Sequence, residues 1–331
     1  MPVRMGSGTN LDFPGYSELR KGDGTILWSA IFNALAYGSF DDNVYVHNTS
    51  SWNLVQTLTQ SENRSWSVTF SSDAEQIAYG SNDENVYVHD TSDWSLNQTL
   101  SQASDRTSSV EFSPDGSLIA YGSFDNNVYI HNTSDWIQQE TLTQAGDNIQ
   151  SVAFSPDSSL IAYGSNDENV YVHDTSDWSL EQTLTESGGN GNSIMFSPDG
   201  SLIAYGSGDG NVYIHNTSDW DLEQTLTEAD GIVYPVAFSP DGSLIAYGQG
   251  GFNIDGNLYV HNTSDWSLQE TLTEAGSDVR AIDFFSDSSL IAYGSTDDNV
   301  YIHNTSDWSL EQTLSQAGGS IFSVEFSPHP L

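Results

Sequence analysis

Along the chain, short runs alternating apolar and small polar residues are broken every few positions by Ser, Pro, Asp, Asn and Gly, and no helical period competes with them. The tetrapeptide Ala-Tyr-Gly-Ser opens at Ala36, Ala78, Ala120, Ala162 and Ala204, a variant opens at Ala246, and the last copy opens at Ala292. The unit thus recurs every 42 residues, and once after 46. A fixed period of this size holding four strand-like runs predicts four-stranded blades arranged radially. We therefore expect an all-β fold, a single seven-bladed β-propeller of four-stranded antiparallel blades over residues 27–331, behind an N-terminal tail of residues 1–26.

In the fourth repeat, Ser151-Val152-Ala153-Phe154 reads as the innermost strand a, and Ser155-Pro156-Asp157-Ser158 as a type I turn with proline at its second position. Residues 160–165 form strand b, Asn166-Asp167-Glu168 loops into strand c over residues 169–173, and Asp174-Thr175-Ser176-Asp177 turns the chain into strand d. Strand d is expected to open with Trp178 and to carry Trp178, Leu180 and Leu184 on one face. Apolar residues on both faces of strands b and c fit sheets covered by neighbouring blades on each side. An eighth strand-a sequence, Phe322-Ser323-Val324-Glu325-Phe326, follows the seventh repeat. It is expected to complete the first blade. The alternative, residues 27–32, leaves only Asn33 and Ala34 to turn into strand b.

The first half of the third repeat runs Phe112-Ser113-Pro114-Asp115-Gly116-Ser117-Leu118-Ile119-Ala120-Tyr121-Gly122-Ser123, and the second half includes Asn127-Val128-Tyr129-Ile130-His131-Asn132. This pattern resembles the WD-repeat family over residues 27–327, and the resemblance implies a propeller that serves as a platform for other proteins. Two departures stand out. His replaces the family's strand-c Trp in all seven copies, and the Gly-His pair expected before strand a is absent. The family's hydrogen-bonded tetrad is therefore not carried over intact, although Ser81, Asp83 and His89 stand where three of its members would and are expected to form a shorter structural network.

Charge adds a second expectation. The chain holds 46 Asp plus Glu against 6 Lys plus Arg, a formal net charge of -40, yet 37% of its residues are hydrophobic and 12% aromatic, enough for a core. Acidic residues recur in every repeat. In dilute buffer such charge strains a compact fold, whereas molar salt shortens the Debye length to about 3 Å. A halophilic, salt-loaded cytoplasm is the expected setting. No repeat clusters Lys and Arg, which argues against nucleic acid. Residues 1–26 lack the apolar run of a signal peptide and no segment reads as a membrane span, so a soluble cytoplasmic protein, taken as a monomer, is expected. The Asn-Thr-Ser triplets at Asn48 and Asn132 read as turn chemistry.

Candidate chemistry is sparse. Seven histidines recur in register, but third strands of adjacent blades lie on the order of 10 Å or more apart, too far for a shared ion whose ligands must sit within about 2.1 Å of it. Acidic b-to-c turns such as Asp41-Asp42-Asn43 lack the alternating ligand pattern of a calcium loop. No nucleophile elbow, phosphate loop or zinc-protease motif appears. The carboxylates read as symmetric from blade to blade, whereas a catalytic site breaks symmetry. We expect no catalytic residues, no metal and no cofactor.

Repeats differ chiefly where the chain enters strand a. The residue just before that strand reads Trp28, Trp66, Ser108, Gln150, Asn192, Tyr234, Arg280 and Phe322 in successive copies. These residues should ring one mouth of the central channel, beside b-to-c loops bearing Phe40, Phe124 and, in a four-residue insertion, Phe252 and Ile254. Arg64, Arg106 and Arg280 fall in the same entrances, and the other basic residues lie in the N-terminal tail. Aromatic and Arg residues are the types enriched at interface hot spots. The expected function is a non-catalytic scaffold presenting this face to a protein or peptide. The alternatives are a small-ligand, metal-binding or enzymatic propeller acting at the mouth, or loops that drifted without duty after duplication.

Overall fold

The computed structural model describes residues 33–251 and 256–328, together with the backbone of four short strands, Arg4–Met5, Thr9–Asn10, Leu19–Arg20 and Ile26–Trp28. Seven four-stranded antiparallel sheets follow one another around a ring, with no helix among the described residues. The fourth blade is representative: Ile149–Phe154, Leu160–Ser165, Val170–Asp174 and Leu180–Leu184 pair in that order as strands a to d. In the first blade the order of the chain is broken. There Ile321–Phe326 pairs with Ala34–Ser39, Val324 opposite Tyr37, and Val44–Asn48 and Leu54–Leu58 complete the sheet. The C-terminal strand thus supplies strand a of the first blade. Ile26–Trp28 pairs instead with Leu19–Arg20, and residues 29–32 lie outside the described ones.

The hydrophobic core lies in the seams. Each cluster joins two neighbouring blades: Ala78, Val86, Val88 and Leu100 of the second pack against Val110, Phe112, Ile119 and Tyr121 of the third. The closing seam is built alike, with Ala292, Val300 and Ile302 against Leu35, Tyr37 and Val324. The strand-b tyrosines, among them Tyr37, Tyr121 and Tyr205, have no exposed surface. The glycine after each one is needed for close approach: a Cβ at Gly122 would collide with the Ile149 side chain of the next blade.

Strand d does not open at Trp178. Trp178 has φ 63°, its N–H donates to the Asp174 carbonyl (2.9 Å), and the strand begins at Leu180. The left-handed conformation is rare for a bulky residue. It is held here because the ring packs against the seam between the third and fourth blades. Nor do Leu180 and Leu184 share an environment, since Leu180 is 46% exposed at the outer rim and Leu184 only 3%. The c-to-d turns bear out the Asx reading: Asn132 Oδ1 accepts the Ser134 N–H at 2.8 Å, and Asn48 Oδ1 that of Ser50 at 2.9 Å.

Candidate functional site

Backbone pairing sets the channel mouth. The b-to-c loop of a blade bonds to that blade's own entrance into strand a, as in Phe40 N–H to the Ser320 carbonyl, Asn82 N–H to that of Arg64 and Phe124 N–H to that of Arg106, each at 3.0 Å. Loop aromatics and entrance residues are thereby brought side by side. Phe40 stacks on Phe322 with centroids 4.0 Å apart, and Trp66 meets both rings edge-on at 4.9 and 4.8 Å. The Trp66 Nε1–H donates to Asn82 Oδ1.

The three arginines lie on this aromatic surface. Arg64 covers Phe40 at 4.3 Å, Arg106 sits 3.5 Å from the Phe124 centroid and 4.7 Å from that of Trp66, and Arg280 lies 3.4 Å over Tyr234 and 5.3 Å from Phe322. Tyr234, Arg280, Phe322, Phe40, Trp66, Arg106 and Phe124 thus form one continuous arc across the sixth, seventh, first, second and third blades. Each guanidinium–ring contact contributes about 0.5–1 kcal/mol at such sites. Arg280 also pairs with Asp278 at 2.7 Å. Burial lowers the pKa of Arg106, and Arg64 pushes it the same way against the opposing pull of Asp105. The rest of the rim is polar: Gln150 Nε2 donates to Asn166 Oδ1 (2.8 Å), and Asn192 Nδ2 to the Val233 carbonyl (2.9 Å). The mouth cavity, lined by Trp66, Gln150, Asn192, Tyr234, Arg280 and Phe322 among others, measures about 230 Å³. The side chain of Trp28, and Phe252 and Ile254, lie outside the described residues.

Ser81, Asp83 and His89 do not form one network. Ser81 Oγ accepts the Asp83 N–H at 3.1 Å, and Asp83 Oδ2 accepts the Tyr87 hydroxyl at 3.0 Å and the Glu62 N–H at 2.9 Å. Tyr87, two residues earlier on strand c, is the partner of the aspartate. His89, on the same face of strand c as Tyr87, is bonded elsewhere, its Nδ1 donating to the Trp94 carbonyl (3.0 Å) and its ring stacking on Tyr79. The other strand-c histidines do likewise within their own blades; His47 Nε2, for instance, lies 3.2 Å from the Tyr37 hydroxyl. Burial lowers the pKa of His47, His89, His131 and His173.

Two features of the inner strands escaped the sequence reading. Carboxylates are not symmetric throughout: Glu111, Asp283 and Glu325 stand at one strand-a position, where other blades have Thr69, Ala153, Met195 and Ala237, and all of these but Ala237 line the far half of the channel. Each acid accepts the N–H of a Phe in the next blade, Glu111 from Phe154 (3.3 Å), Asp283 from Phe326 (2.7 Å) and Glu325 from Phe70 (3.0 Å). Burial raises all three, Glu111 to about 8 and Asp283 to about 7. The second feature is a column of serines one turn of the pleat higher. Ser67, Ser109, Ser151, Ser193 and Ser323 each accept an N–H from the next blade's strand a at 2.8–3.2 Å. Comparing the repeats column by column along strand a would have exposed both.

No curated protein matches the chain in a sequence comparison. A family model, described as the IFT122 first beta-propeller, matches residues 64–330. That span takes in the second to seventh blades and the strand that closes the first, and with the seven-bladed ring it places this chain in the family of the IFT122 first beta-propeller.

Proposed function

We propose that the protein is a non-catalytic interaction scaffold whose channel mouth receives a protein or peptide. The observation that carries this reading is the arc of stacked aromatic rings and guanidiniums on one side of a polar rim, made of the residue types that dominate interface hot spots. Strands b and c repeat almost without change, whereas the mouth differs from blade to blade. The acids of the far channel are each engaged by a backbone N–H, and the histidines by groups of their own blades, which supports a structural role for both. Residues 1–26 act as a tail to the ring.

The setting we propose is the salt-rich cytoplasm of a halophile, with the protein acting as a monomer and without nucleic acid or membrane. Support comes from the charge of -40 spread over all blades and the paucity of Lys and Arg. No helix among the described residues is long and apolar enough to cross a membrane. The test is affinity capture at molar KCl with the intact chain and with a variant carrying Trp66→Ser, Tyr234→Ser and Arg280→Ser. Proteins retained by the first and lost from the second support the reading; retention indifferent to the substitutions, with both forms folded, contradicts it.

A further inference from the structure

This inference rests on the mouth receiving a peptide and concerns what that peptide carries. In five seams a serine hydroxyl accepts the free-edge N–H of the next blade, as Ser109 does for Val152 and Ser323 for Val68. In the sixth and seventh blades the same column reads Pro235 and Ala281. Among the described residues, no serine hydroxyl therefore stands opposite the N–H groups of Ile282 and Val324. Both residues line the mouth cavity beside Arg280, whose Nε is buried and without an acceptor while its Nη2 is held by Asp278 at 2.7 Å. A buried donor such as Arg280 Nε is costly to leave unmade, and with the two N–H groups beside the cavity it makes a corner of three donors suited to an acceptor from outside. Arg64 and Arg106, on the same arc, have no carboxylate within ion-pair distance among the described residues, and Arg106 Nε too is buried without a partner. Among the described residues these guanidiniums have no carboxylate partner, in a chain whose net charge is -40.

We infer that the mouth takes an extended peptide bearing carboxylates, whose oxygens accept from Arg280 Nε and from the N–H groups of Ile282 and Val324. An ionised carboxylate only accepts hydrogen bonds and has two oxygens to offer, which suits a donor-rich corner, and charge assistance strengthens each bond. Tyr234 and Phe322, on either side of Arg280, supply apolar surface for a neighbouring side chain.

The test is selection of random phage-displayed dodecapeptides on the intact chain in about 0.5 M KCl, which screens the long-range repulsion of the acidic surface. Affinities are then measured for the wild type, the triple mouth variant and Ala281→Ser. The last restores a hydroxyl opposite the Val324 N–H and should leave the thermal midpoint unchanged or raised. The expected result is enrichment of peptides rich in Asp, Glu and aromatic residues that lose binding on the triple variant and bind Ala281→Ser about tenfold more weakly. Neutral or basic peptides that still depend on the mouth overturn the inference and leave the scaffold reading standing. Acidic peptides that bind Ala281→Ser as tightly as wild type overturn the placement at Val324. No enrichment, or enrichment indifferent to the triple variant, overturns both.

Discussion

Phe40, in the first b-to-c loop, and Phe322, in the last strand of the chain, stack with centroids 4.0 Å apart and planes 3° from parallel. The contact joins the two ends of the described propeller at the point where Ile321–Phe326 completes the first blade.

Closure gives the first expectation. Deleting residues 320–331 removes strand a of the first blade, its half of the closing seam and the serine that bridges to Val68. The truncated chain should lose cooperative unfolding and gain rapid hydrogen exchange in residues 34–58. Phe322→Ala keeps the strand and removes one face of the stack, and should cost about 1–3 kcal/mol in chemical denaturation.

The serine column gives the second. Ser109→Ala removes the acceptor of the Val152 N–H, and should destabilise by about 1 kcal/mol, with faster exchange of that amide. Exchange at Tyr121, which pairs with Val110 inside the same blade, should change little.

Glu111 gives a pH dependence whose sign follows from its burial. Its folded pKa, about 8, lies above the usual carboxylate value, so the folded state holds a proton that the unfolded chain releases. This group therefore opposes folding progressively as pH rises from about 4.5 to about 8. Glu111→Gln keeps an acceptor for Phe154 and cannot ionise. It should raise stability on the order of 2 kcal/mol at pH 9 and change it little at pH 4.5, read as denaturation midpoints across that range.

Asp125 behaves in the opposite sense. Burial opposes its charge, but the Ser104 N–H and the Tyr129 hydroxyl, both at 2.8 Å, hold its pKa below the usual value. Its contribution is present above pH 4 and is lost as pH falls through the folded pKa. Asp125→Ala should cost about 2 kcal/mol at pH 7 and less at pH 3, by the same measurement.

Much of this was legible in the repeat. Period, turns and the paired register of Ala-Tyr-Gly-Ser carry the blades, because a residue type needed for one local geometry recurs wherever that geometry does. Phe40, Trp66 and Arg280 stood out at the mouth because they break that recurrence. Trp178 was misplaced because an aromatic residue beside a strand reads as strand, while its actual place is set by a main-chain bond to Asp174 and by packing across a seam. His89 was assigned to the aspartate network by its position in the family pattern, yet Tyr87 has the reach and the hydroxyl. The gaps at Pro235 and Ala281 carry meaning only once Ser109 and its equivalents are seen bridging blades, a relation between chain segments some 43 positions apart.

The most direct measurement places a photoreactive benzoylphenylalanine at Phe124 in the mouth and, separately, at Ile137, which is 60% exposed just before the outer strand Gln138–Leu142. Irradiated in cells that produce the protein natively, the Phe124 probe should cross-link a discrete protein partner that the Ile137 probe does not. Equal cross-linking from both positions, or a partner captured from Ile137 alone, would contradict the mouth as the binding face.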